Sequence, residues 1–139
     1  MNSMIKRTAQ RGTTLVETLV ALVVLSVGLL GIAALQMASL TNNRGAHLRS
    51  QAAVLAYDIA DRMRANRVVA MANGYAVTYA GTITGTTLNA VDVQAWKANL
   101  ARTLPSGTGQ IVAVGNMQRI SVQWTDSLGT QTFVTRTQL

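Results

Sequence analysis

Cysteine is absent from the 139 residues, which rules out a disulfide framework and a thiol nucleophile and leaves cysteine usage silent on redox compartment. Histidine occurs once, at His47, with no second histidine to complete a metal or catalytic set. Acidic residues are scarce, five against twelve Lys and Arg, and aromatics make up 4% of the chain. That supply holds no stacking set of the kind that single-strand nucleic-acid binders use. The glycines of the later chain are scattered among Thr and Ser rather than set between a strand and a helix, so no phosphate loop is recognisable. No catalytic, cofactor-binding or metal-binding residue is assigned, and neither a cofactor nor an enzymatic activity is expected.

The formal charge of +7 is unevenly placed. Lys6, Arg7 and Arg11 precede a long apolar run, and setting them aside leaves nine basic residues against five acidic ones. Part of the basic surplus is therefore a topology signal, because positive residues beside a spanning segment hold that end in the cytoplasm and send the rest across. Between Thr18 and Asn43 there is no charged residue, and Leu19 to Leu40 is mostly Leu, Val, Ala, Ile and Gly. About 20 such residues in a helix cross a hydrocarbon core. An ordinary signal peptide would have an apolar stretch of about 7–15 residues and a small-residue cleavage site. Here Ala33 and Ala34 continue in helical register. Glu17 stands at the head of the run, where a carboxylate is costly and calls for a partner.

Thr41 to Arg67 contains no proline. Leu48, Ala52, Leu55, Ile59 and Met63 recur at helical spacing, forming one stripe to bury. Asp58 and Arg62 make a favourable i,i+4 pair off that stripe. The pattern predicts one helix from Thr13 to about Asn66, weakened locally by Gly28, Gly31 and Gly45. Gly28 and Gly31 would let neighbouring helices approach closely in a membrane. Ala72 to Ala90 reads as a connecting loop with a short strand at Tyr75–Tyr79. Asp92 to Leu104 reads as a short helix with Asp92 as its cap, Pro105 beyond its end, and Val93, Trp96, Leu100 and Leu104 as its buried stripe. Strands are expected at Gln110–Val114, Gln118–Thr125 and Gln131–Gln138, turning at Gly115-Asn116 and Ser127-Leu128-Gly129. The fold class is α+β, a long N-terminal helix packed on a small antiparallel sheet.

The remaining polar residues fit structural roles. His47 sits on a solvated helical stretch, Asp58 and Asp61 each have a basic neighbour within helical reach, and Asp126 falls in a turn. Arg44, Arg49, Arg62, Arg64 and Arg67, with Tyr57 among them, give the helix a basic character. Arginine beside a membrane also suits anionic headgroups. Nucleic acid is accordingly not the favoured partner.

The stretch R-G-T-T-L-V-E-T-L-V-A-L-V-V-L-S-V-G-L-L-G, Arg11 to Gly31, resembles the class III signal of type IV prepilins and type II secretion pseudopilins. The resemblance implies cleavage between Gly12 and Thr13 by a prepilin peptidase, N-methylation at Thr13, and retention of the apolar helix. Glu17 would then pair with the new α-amine of a neighbouring subunit. Thr13 departs from the family's commoner Phe or Met. Within that superfamily, L-A-Y-D-I-A-D-R-M-R-A-N, V-Q-A-W-K-A-N-L-A-R-T-L-P and the terminal V-Q-W-T-D…T-Q-L resemble the PilV group of minor pilins, the type IV pilus modification proteins.

That resemblance implies a leader at 1–12, a transmembrane and filament-core segment at 13–43, and a periplasmic head at 44–139. It further implies a single-pass inner-membrane subunit that joins a tip-proximal minor pilin complex and primes pilus assembly, and so serves twitching motility. The implied partners are other minor pilins, the major pilin, the prepilin peptidase and the inner-membrane assembly machinery. The alternatives are a type II secretion pseudopilin and a membrane-anchored ligand- or DNA-binding module that never enters a filament.

Overall fold

A computed structural model of the chain describes residues 14–139. The expected leader and the processing residues Gly12 and Thr13 lie outside the described residues. Helix α1 runs unbroken over Leu15–Ala65. It has no internal proline, an acid in its first turn and Arg62 and Arg64 in its last, the charge order that the helix dipole favours. There follow α2 (Arg67–Met71), α3 (Leu88–Thr103), β1 (Thr108–Val114), β2 (Met117–Asp126) and β3 (Gly129–Gln138). The chain divides into two units, Met1–Leu40 and Thr41–Leu139.

In the first unit the described side chains from Leu15 to Leu40 are all exposed. In the second, three strands form an antiparallel meander in the order β1-β2-β3. Its register sets Ile111 opposite Ile120 and Gly109 opposite Val122, with Val122 opposite Phe133 on the other side. Residues paired in this way share a face. That face is the buried one, where Ile111, Ile120, Val122 and Trp124 join Leu48, Ala52, Ala56, Ile59, Ala60 and Met63 of α1 in one core. Val93, Trp96, Leu100 and Leu104 complete it from α3 and its C-cap, as their spacing predicts. Gly115 adopts a φ of +62°, the left-handed value that a two-residue hairpin loop requires of its first residue.

Three expectations are corrected. Leu55 is only partly buried, and Ala56 and Ala60 take the inward positions. The Tyr75–Tyr79 strand reduces to a single bridge, Val77 to Ile111, with hydrogen bonds of 3.0 and 2.8 Å. The carbonyls beyond it are already committed, because Thr78, Tyr79 and Gly81 accept from the Lys97 ammonium and Tyr79 also from the Thr108 hydroxyl. The Tyr79 carbonyl thereby has both lone pairs occupied and none left for a ladder. Finally, α3 begins at Leu88, earlier than Asp92, so Asp92 is not its cap. The N-cap position falls to Thr87, whose backbone is extended.

Gly109 marks the closest approach of β1 to α3. A Cβ at this position would collide with the Trp96 ring and the Leu100 side chain. Both side chains are fully buried and have no free space to move into. Gly109→Ala is therefore expected to destabilise the protein by about 1–3 kcal/mol, the usual cost of overpacking a core. A thermal or urea melt of the variant measures it, and an unchanged midpoint would show that α3 shifts freely on the sheet.

Candidate functional site

The N-terminal end of α1 starts with a capping arrangement. Thr14 precedes the helix, and the Glu17 amide donates to the Thr14 carbonyl at 2.9 Å and to its hydroxyl at 3.4 Å. T-L-V-E thus has the Thr-x-x-Glu order of a capping box, with Glu17 at the third helical position. A carboxylate there lies beside the unpaired amides of the first turn and is favoured by the helix dipole. Glu17 is exposed and takes part in no ion pair among the described residues. That box is readable in the sequence.

From Thr18 to Leu40 the helix carries no charge and few polar side chains, and it is long and apolar enough to cross a membrane. A helix apolar all round requires an apolar environment on all sides. Ser26 hides its hydroxyl by donating to the Leu22 carbonyl at 2.7 Å. At Gly28 and Gly31 an added Cβ would meet nothing within 4 Å, so packing inside this chain does not require glycine there.

Residues 7–33 match the prokaryotic N-terminal methylation motif. The motif is a prepilin-type signal and indicates a type IV pilin or pseudopilin-like protein. Such a signal implies processing by a prepilin peptidase, and with the apolar helix it fits a membrane-anchored pilin. No curated protein and no solved structure matches the chain. The methylation motif takes in Gly12, Thr13 and Glu17 and ends within the apolar part of α1.

Three carboxylates of the second unit, Asp58, Asp61 and Asp92, are held by arginines. Arg62 reaches Asp58 at 3.1 Å and Asp92 at 3.1 Å. Asp92, 7% exposed, also accepts from the Tyr75 hydroxyl at 2.8 Å, and Asn66 donates to that hydroxyl at 3.2 Å. Arg64 pairs with Asp61 and donates to the Thr137 hydroxyl. Asp58 and Asp61 are thus in ion pairs, as expected, and two of the five helical arginines are taken up internally. His47 is exposed, with its ring nitrogen 3.0 Å from the Gln51 amide. No group of three or more potential metal ligands occurs among the described residues. Asp126 is a turn residue, accepting from the Leu128 amide at 2.8 Å.

The hydrogen bonds to Asp92, and then to Asp58, raise the Arg62 pKa. Burial raises that of Tyr75 above its usual 10.0, and the bond to Asp92 acts in the same direction. Unfolded tyrosine therefore releases its proton first as pH climbs past 10.0, and this drains stability from the folded state. Lys97 has the opposite sign, since burial lowers its pKa below 10.5 and folded Lys97 loses its proton first. Comparing the chain with Tyr75→Phe cancels the lysine contribution. Urea midpoints between about pH 9 and 11 should fall more steeply for the unsubstituted chain than for the variant. Asp92→Ala, which removes the acceptor shared by Arg62 and the Tyr75 hydroxyl, should cost about 1–3 kcal/mol at neutral pH in the same assay.

Proposed function

We propose that the chain is a minor pilin of the PilV type, a single-pass inner-membrane subunit whose periplasmic head, 44–139, follows a membrane and filament-core segment at 13–43. The observation that carries this reading is the methylation motif over residues 7–33, leading directly into an apolar helix left uncovered among the described residues. Hydrolysis of the bond after Gly12 removes the leader 1–12 and creates an α-amine at Thr13, which is then methylated. In a filament core, that amine of one subunit pairs with Glu17 of its neighbour and sets axial register. Either charge alone in such a core is heavily penalised, whereas the pair is tolerable. Together with other minor pilins the subunit forms a tip-proximal complex that primes polymerisation of the major pilin. Open space around Gly28 and Gly31 is consistent with close approach of neighbouring helices there.

The mature protein is expected to begin at Thr13, one methyl group heavier than the bare chain, in mass spectra of membrane fractions. A start at Met1 or near Ala34 overturns the reading, and a bulky residue at Gly12 should block maturation. Glu17 separates pairing from capping. Gln also serves at the third position of a capping box but carries no charge. Glu17→Gln and Glu17→Ala should both be cleaved normally, yet both should lower surface pili well beyond tenfold, since removing one partner of a buried ion pair costs about 3–5 kcal/mol. Normal pilus numbers in Glu17→Gln would leave capping as the only role of the carboxylate. The motif is shared with type II secretion pseudopilins, so a deletion that spares pili and stops exoprotein secretion would assign the chain there instead.

A further inference from the structure

One side of the β2–β3 turn faces the stretch of α1 that follows the apolar run, and a cleft of about 330 Å³ lies between them. Its lining includes Asn42 and Arg49 of α1, Trp124 and Asp126 of β2, and Gln131 of β3. Trp124 is 3% exposed, and its indole N–H is buried with no hydrogen-bond partner. A buried donor left in that state costs about 1–3 kcal/mol, so an acceptor supplied from outside would be favoured. Charge of both signs stands beside it. Asp58, Asp61 and Asp92 each take an arginine, whereas neither Asp126 nor Arg49 enters an ion pair among the described residues. Arg44 lines an adjoining cleft that shares Gly45, Asp126 and Ser127.

We propose that this cleft binds the zwitterionic headgroup of an aminophospholipid, with the phosphate diester taken by Arg49 and the Trp124 indole N–H and the ammonium by Asp126. The assignment rests on reading the apolar part of α1 as a membrane span. Thr41 to Arg49 follows directly on that part and covers about 12 Å of helix at about 1.5 Å per residue. A headgroup layer is roughly 5–8 Å deep on each side of the hydrocarbon, so these residues pass through it. Leu128, 76% exposed, adds an apolar side chain to the lining of the same cleft. An acidic headgroup would leave Asp126 facing a hydroxyl or a second carboxylate, which is why the amine-bearing class is favoured over it.

The two tryptophans give two indole N–H resonances, and Trp96 already donates to the Leu55 carbonyl at 2.9 Å. Full-length, nitrogen-15-labelled protein in dodecyl maltoside micelles is titrated with short-chain phosphatidylethanolamine, with phosphatidylglycerol of matched chain length, and with inorganic phosphate. The Trp124 resonance should move saturably with phosphatidylethanolamine while that of Trp96 stays in place. Affinity should fall by at least about fivefold for the other two titrants, and likewise for Arg49→Gln and for Asp126→Asn, which keeps an acceptor for the Leu128 amide. An unmoved Trp124 resonance, equal responses to all three titrants, or variants that bind as well as the unsubstituted chain would overturn the site. Alkaline extraction of membranes tests the span separately. Release by alkali removes the span reading and the headgroup assignment with it, whereas retention with an unmoved resonance removes the headgroup site alone.

Discussion

Everything after Thr41 depends on how closely other elements can approach one stripe of α1. Ala52, Ala56 and Ala60 recur every fourth residue and are fully or almost fully buried, between the larger Leu48, Ile59 and Met63. Alanine at this spacing presents little more than backbone, and Trp96 comes near enough for its indole N–H to bond the Leu55 carbonyl. That bond satisfies an indole N–H that burial takes out of water. Gly109 lets β1 close over the six-membered part of the same ring. The small residues of the helix and the glycine of the strand are therefore two halves of one packing solution around Trp96.

The chain assigns its few carboxylates to two uses. Asp58, Asp61 and Asp92 join α1 to itself and to α3, and Asp92 does so from inside the head, held by Arg62 and the Tyr75 hydroxyl. Such an arrangement is costly to break but adds little net stability over apolar packing. What it fixes is orientation, since α1, α3 and the Tyr75 loop meet at a single carboxylate. Glu17 and Asp126 have no arginine partner among the described residues. They lie near the start of α1 and at the β2–β3 turn, positions at which the proposed contacts are with a neighbouring subunit and a lipid.

Elements with strong periodicity were legible in the sequence. The long helix, the α3 stripe and the three strands appear where alternation and helical spacing place them, because one buried face dictates those patterns. What failed depended on contacts distant in sequence. Leu55 and Ala56 are neighbours on the helix and spacing alone does not separate them, and Asp92 looks like a cap until Arg62 and Tyr75 arrive from elsewhere. The Tyr75–Tyr79 segment has strand-like residues but gives its carbonyls to Lys97, a competition that local propensity cannot register. At the N-terminal end the processing signal and the Thr-x-x-Glu box are both legible as motifs, because each is local in the chain.

The two readings of Glu17 belong to successive states rather than competing for one. In a single chain at the membrane surface, the carboxylate belongs to the first helical turn, and the helix dipole offsets part of the cost of a charge beside hydrocarbon. That offset is worth about 0.3–1 kcal/mol for an exposed group. It falls well short of the several kcal/mol required to take an ion out of water. Capping thus makes Glu17 tolerable at an interface but not in a dry core, and a subunit moving into such a core gains most by meeting a cation there. On the proposed pathway only cleavage after Gly12 places an amine close enough in the chain to serve, so the carboxylate that the monomer can keep is one that assembly must neutralise.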